Sequence, residues 1–287
     1  ERFPQYRVST ERLVFEARWL KLARRWDWSD ICPTVHGFDE ANRVLVLEDL
    51  GDVERLDAAL ARGADVRAAT RQITSFLGRM HRGTHQMPGL AARFRNDAMR
   101  KLHGEHIFVL PFQPNDFPLP PRTRARAEAL WADAELVGLA QACHARYMEP
   151  RGALVHGDVQ AANVMLPARG PKLLDAEIAH VGDPAFDLGT FLAHLLLAGI
   201  ARGRPRQGLP AVAEAWGAYA EAHGRSGLPR FADAARYAGL ELLRRTLGAA
   251  RVPAVDEDEA GLRVVESGLR LVRRPPAGPD ELISDDA

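Results

Sequence analysis

Lysine is nearly missing from this sequence. Its 287 residues include only Lys21, Lys101 and Lys172; every other basic side chain is an arginine, and 38 basic residues balance 38 acidic ones. With no formal net charge, no bulk field draws the chain to nucleic acid or to an anionic membrane. Cysteine is almost as scarce. Cys32 and Cys143 have no metal-binding spacing and cannot form a disulfide framework, so reduced structural thiols in a cytoplasmic protein are expected. Long apolar runs are lacking too. The longest, around Phe191 to Leu197, is interrupted by His194 and falls short of the roughly 20 residues that a membrane span needs. No internal repeat and no signal peptide are visible, and because the chain opens on Glu1 rather than Met its start is expected further upstream.

What is present is an ordinary globular balance, 46% apolar and 26% charged, over a length that allows a large core and two lobes. Residues 1–8 read as extended. Ser9 or Thr10 can cap a helix running to about Trp26, with Leu13, Ala17 and Leu20 on one stripe. Val35–Phe38 and Arg43–Leu47 read as paired strands around an Asp-Glu-Ala-Asn turn, ending in Glu48-Asp49-Leu50-Gly51. Helices are expected over 56–60, 66–85, 122–147, 186–197, 210–223, 229–250 and 258–272, with an irregular connector over 86–120 and a basic loop over 202–208. His81 and His85, four apart without a third ligand, read as packing or surface residues. The Pro-rich, acidic tail 275–287 is expected to fray.

The chemistry concentrates in residues 152–190. A buried strand, Ala153–Val155, delivers His156, Gly157 and Asp158 to a turn, and Asn163 follows five residues after Asp158. Val164–Leu166 and Leu173–Leu174 then form a hairpin through a Pro- and Gly-rich turn, leading to Asp175 and Glu177. The hairpin brings three carboxylates and an amide toward one end, where they would repel without a cation. Hard oxygen ligands of this kind suit Mg²⁺, and the set matches phosphoryl transfer: a carboxylate to orient a hydroxyl, an Asn and an Asp to hold the metal on phosphates. Lys172, the one nearby lysine, is expected at the far end of the strand. A lone His-Gly-Asp is usually a turn and a lone Asp-x-Glu a solvated strand end. Here spacing, order and flanking strands agree.

His-Gly-Asp-x-x-x-x-Asn, the downstream Asp175, and Gly-Asp-Pro-Ala-Phe-Asp-Leu-Gly at 182–189 resemble the aminoglycoside phosphotransferase and choline kinase superfamily. The resemblance covers most of the chain. It implies a protein-kinase-like α+β fold with a mostly helical C-terminal lobe (51–274), preceded by a small N-terminal lobe (1–50) that is incomplete here. It implies ATP-dependent phosphorylation of a hydroxyl on a sugar, amino alcohol, aminoglycoside or related metabolite. By resemblance Asp158 is the catalytic carboxylate; Asn163 and Asp175 hold Mg²⁺ with help from Glu177; His156 and Asp187 support the loop, Asp187 from the start of the following helix. Glu16 would pair with a phosphate-binding Lys on a strand expected upstream of residue 1, after a Gly-rich hairpin. The segment Glu48-Asp49-Leu50 takes the place of the nucleotide hinge, though an acidic turn after a strand reads the same way. Asp175-Ala-Glu177 is similar to the Asp-x-Glu of methylthioribose kinases. Arg244 and Arg245 are similar to a paired-Arg segment that lies near substrate in those kinases; a salt-bridged helix pair is the competing reading. Asn163 departs from them, since Ser is usual there. Two other classes stay open: a non-catalytic binding protein on the same fold, and a metal-dependent hydrolase, which leaves the hinge and the Glu16 helix unexplained.

Overall fold

A computed structural model describes residues 8–283. Helix α1 (Arg12–Ala23) continues into a 3-10 turn to Trp26, the extent that the sequence predicts. Ser9 accepts from the Glu11 N–H at its entrance. Trp19, fully buried, anchors α1 against Phe76 of the helix α3 (Arg67–Thr84). The expected hairpin forms as β1 (Val35–Asp39) and β2 (Val44–Leu47), antiparallel with an irregularity between Val35 and Gly37. After α2 (Leu56–Arg62) the chain is mainly helical. The extended reading of residues 1–7 lies outside the described residues.

The connector over 86–120 is less irregular than its Pro and Gly content suggests. It holds α4 (Leu90–Arg93) and α5 (Asp97–Phe108), because Met99, His103, Ile107 and Phe108 recur at helical spacing and are buried. The helix expected over 122–147 is two. α6 (Pro121–Trp131) stops, and Asp133 caps α7 (Ala134–Tyr147) by accepting from the Leu136 N–H at 3.0 Å. In the tail, Pro279–Ile283 forms a 3-10 turn, and Pro205–Gly208 does the same within the basic loop.

The core is built on α8 (Pro184–Ala201), which is 94% buried. α8 is long and apolar enough to cross a membrane, which the sequence reading of the shorter Phe191–Leu197 run did not register; the burial makes it a core helix. It packs on α10 (Phe231–Leu247), which packs on α11 (Asp258–Arg273), while α3 packs on α9 (Leu209–His223). Gly239 and Gly268 let α10 and α11 approach closely: a Cβ on Gly239 would lie 2.6 Å from the Gly268 carbonyl oxygen. Three short strand pairs complete the α+β fold. β3 (Ala153–Val155) pairs antiparallel with β6 (His180–Gly182), and β4 (Val164–Met165) with β5 (Lys172–Leu173). These two pairs carry the loops of the candidate site. Cys32 is buried and Cys143 half-buried, both free thiols, and burial pushes the Cys143 thiol up to about 11.

Candidate active site

β3 ends at the turn His156-Gly157-Asp158. Gly157 sits at φ +88°, and a Cβ there would meet the Ile178 carbonyl oxygen at 2.9 Å, so only glycine fits this turn. The His156 ring packs edge-on against Trp19, centroids 4.9 Å apart. Its burial favours the neutral imidazole, and Nδ1 accepts from the Asp158 N–H at 3.2 Å. His156 therefore holds the loop from inside.

Asp187 holds the same loop from the other side. The sequence places it at the start of a helix, but α8 begins at Pro184. Asp183 is the cap, accepting from the Ala185 N–H at 3.0 Å. Asp187, one turn on, sends both oxygens into the loop: Oδ2 accepts from the His156 N–H at 2.7 Å and Oδ1 from the Gly157 N–H at 2.9 Å. His81 Nε2 lies 3.1 Å from Oδ2, and His81 Nδ1 lies 2.9 Å from the Tyr219 hydroxyl. Since a carboxylate only accepts, His81 carries its proton on Nε2. His81 is thus more than packing: it orients the brace.

Asp158 is buried. Its Oδ2 accepts from Gln160 Nε2 at 2.7 Å and from Asn163 Nδ2 at 3.0 Å. Its Oδ1 is buried without a hydrogen bond and lies 4.0 Å from an Arg245 nitrogen. Asn163 also donates to the Asp158 carbonyl at 3.0 Å, so both of these contacts use its amide nitrogen, and the Leu174 N–H donates to the Asn163 backbone carbonyl at 2.9 Å. Asp175 follows at φ +70°, a conformation that a non-glycine residue adopts at a cost and that recurs at functional sites.

Asp175, Glu177 and Glu16 face one another with too little positive charge among them. Burial, then the charges of Glu177 and Asp158, push the Asp175 carboxyl up to about 6. Burial, then the charges of Asp175 and Glu177, push Glu16 up to about 7. Glu177 is raised by burial even though Arg12 of α1 lies 2.9 Å from it. The orphaned Asp158 oxygen and this repelling cluster fit a site meant for a cation. Among the described residues, no three His, Cys, Asp or Glu side chains could hold a metal by themselves.

Glu48 is half-buried and its carboxylate is committed. It takes Lys172 at 2.8 Å and the Thr34 N–H at 3.0 Å, and the Lys172 hydrogen bond, against the opposing effect of burial, holds its pKa low. Lys172 itself is buried and also meets Asp30 at 2.9 Å. Asp49 is exposed and accepts from the Gly51 N–H at 2.8 Å, and Leu50 is half-buried between them. Arg244 and Arg245 are both buried and both pair with Glu241, at 3.1 and 2.6 Å. Arg245 additionally reaches Gln160 Oε1 at 2.7 Å. The pair is salt-bridged on its helix, and Arg245 alone also reaches the loop of Asp158. Sequence reasoning missed Gln160, Glu241, Arg12 and the role of His81. Glu241 had a readable signal, standing three and four residues before two arginines on one helix. Gln160 had none.

A family model described as the phosphotransferase enzyme family matches residues 2–234. The chain belongs to that family. This phosphotransferase is 27% identical over 281 residues to a methylthioribose kinase of Bacillus cereus, a match covering 87% of this chain and 71% of the relative. It is 29% identical over 255 residues to a methylthioribose kinase of Bacillus velezensis, covering 79% of this chain and 64% of that one. Its fold is shared with a choline/ethanolamine kinase family protein of Mesorhizobium loti, with a TM-score of 0.53 at 18% identity over 92% of this chain and 79% of the other. It is shared also with the amicoumacin kinase hAmiN, solved in complex with AMP-PNP, Ca²⁺ and Ami, with a TM-score of 0.51 at 13% identity over 95% and 80%. The family and its homologues make this chain a phosphotransferase with an alcohol group as acceptor, on a kinase-like α+β fold.

Proposed function

We propose that this phosphotransferase moves the terminal phosphoryl group of ATP onto a hydroxyl of a small metabolite, a sugar, amino alcohol, aminoglycoside or relative of these. The observation that carries the reading is Asp158: one oxygen is fixed by Asn163 and Gln160, and the other is buried without a hydrogen bond. A carboxylate so held can orient the acceptor hydroxyl and take its proton. The methylthioribose kinase homologues support a sugar-like acceptor, and the AMP-PNP and Ca²⁺ in the amicoumacin kinase support a nucleotide donor with a divalent cation.

The carbonyl oxygen of Asn163 and the carboxylate of Asp175 would hold Mg²⁺, with Glu177 helping directly or through water. Bound there, Mg²⁺ supplies positive charge to the phosphate oxygens. Arg12 supplies part of that charge to Glu177. His156 and Asp187 keep the loop in shape and touch no reacting atom. Glu16, on α1, belongs to the phosphate end of the site, and the Glu48–Leu50 segment offers its backbone to the base of the nucleotide. Arg244 and Arg245 face the acceptor side: the Arg244 Nε is buried with no partner, a donor that an oxygen-rich acceptor would satisfy. The test is a phosphorylation screen of the full-length protein with ATP, Mg²⁺ and fractionated small-metabolite pools. Transfer to a hydroxyl compound is expected; ATP binding with no acceptor phosphorylated in any pool would overturn the reading.

A further inference from the structure

Gln160 lies two residues beyond Asp158, half-buried, on the turn before β4. Its two amide atoms have different partners. Nε2 donates to Asp158 Oδ2 at 2.7 Å, and Oε1 accepts from Arg245 at 2.7 Å. An arginine only donates and an ionised carboxylate only accepts, so a single orientation of the amide satisfies both. Arg245 is fixed in turn, because its Nε donates to Glu241 Oε1 at 2.6 Å. Glu241 is 2% exposed and also pairs with Arg244 and His194. A continuous set of contacts therefore runs from α10 to the loop of Asp158.

This set has two consequences for Asp158. First, its oxygens are made unequal: Oδ2 is occupied by Gln160 and Asn163, and Oδ1 takes no hydrogen bond. Second, Gln160 stands between opposite charges. Arg245 is 4.0 Å from Asp158 Oδ1, close enough for a small rotation of either side chain to form a direct ion pair. Such a pair would occupy the free oxygen and lower its basicity. The Gln160 amide keeps Arg245 turned to itself and to Glu241.

Resting on the reading of Asp158 as the group that takes the acceptor's proton, we propose that Gln160 is a positioning residue of the transfer reaction, and that Arg245 and Glu241 act on it through Gln160. It reserves Oδ1 for the acceptor. In the step it serves, the acceptor O–H bond breaks and its proton goes to Oδ1. The acceptor oxygen bonds to the γ-phosphorus, and the bond from that phosphorus to the bridging oxygen breaks, leaving ADP.

The experiment is a double-mutant cycle in the full-length protein, with kcat, both KM values and thermal stability measured for Gln160→Ala, Asp158→Asn and the pair. Gln160→Ala should lower kcat about 10- to 100-fold, the scale of a misplaced reacting group, with the KM for ATP nearly unchanged. In the Asp158→Asn background the same substitution should cost nothing further, because the proton acceptor that Gln160 positions has lost its basicity. If Gln160→Ala does not fold, the isosteric Gln160→Glu takes its place: it still accepts from Arg245, cannot donate to ionised Asp158, and should show the same loss. A normal kcat for the Gln160 variant, or a loss of equal size with and without Asp158, overturns the proposal. A crippled Asp158→Asn beside a normal Gln160 variant removes the role of Gln160 alone. A normal kcat for Asp158→Asn removes the reading of Asp158 and the proposal with it.

Discussion

Replacing Asp187 by Asn should damage stability before it damages chemistry. The side chain is fully buried, and each oxygen has an assigned donor: the His156 N–H and His81 at Oδ2, the Gly157 N–H at Oδ1. Burial alone would raise its pKa, but the hydrogen bond from His81 and the other contacts more than offset this and hold it below the ordinary 3.8. An asparagine offers one acceptor oxygen and one NH₂. Whichever way it turns, an NH₂ faces an N–H, so one loop donor is left buried and unpaired while the charge-assisted bonds weaken. Breaking a buried charged interaction from one side costs about 3–5 kcal/mol. For a protein of this size each kcal/mol moves the midpoint by about 2–4 °C, so a fall in Tm of about 6–20 °C is expected. Because the folded pKa is lowered, the stabilisation is present above the unfolded value and is lost as pH falls through the folded one. The deficit should be full at pH 7 and shrink in acid. The assay is thermal unfolding followed by circular dichroism at several pH values, with kcat measured well below the midpoint. A Tm within about 2 °C of the parent at pH 7 would refute the bracing role, since that is under one kcal/mol.

Glu16→Gln should stabilise the ligand-free protein at pH 8. Glu16 is an acid whose folded pKa is raised to about 7, so its ionised form is penalised only in the folded state: the penalty begins as pH climbs past the unfolded 4.5 and is complete above pH 7. The gain should be about 1–3 kcal/mol at pH 8 and should close toward pH 4.5, as read by Tm against pH; a pH-independent difference would contradict it. On the proposed reading, in which the unpartnered Arg244 Nε serves the acceptor, Arg244→Ala should raise the KM for the acceptor about tenfold while changing the KM for ATP little. Equal loss for both substrates would remove Arg244 from acceptor recognition.

Much of the site was legible because its parts lie close along the chain. Asp158, Asn163, Asp175 and Glu177 span 20 residues, and alternating short apolar runs and turns place them at one end whatever the rest of the chain does. The α1 helix and the β1–β2 hairpin were legible for the same local reason. What escaped depends on contacts distant in sequence. Arg12 meets Glu177 across 165 positions, His81 meets Asp187 across 106, and Arg245 meets Gln160 across 85. No periodicity announces such pairs. The start of α8 was misplaced because Asp187 looks like a cap, whereas Asp183 two residues before Ala185 takes that role and frees Asp187 for the loop. The connector over 86–120 misled through composition: its prolines and Gly89 lie outside α4 and α5, and Gly104, inside α5, is buried where a Cβ would meet His144 Nε2 at 2.8 Å.

The account stands on Asp158, and one variant tests it most directly. Asp158→Asn keeps the shape of the side chain, can still accept from Gln160 or Asn163, and loses the charge and basicity. General-base assistance is typically worth about 10²–10⁴-fold. The full-length Asp158→Asn protein should therefore show kcat lower by about that factor, with ATP binding and Tm nearly those of the parent. A kcat near the parent value would contradict the assignment of Asp158 as the group that takes the acceptor's proton.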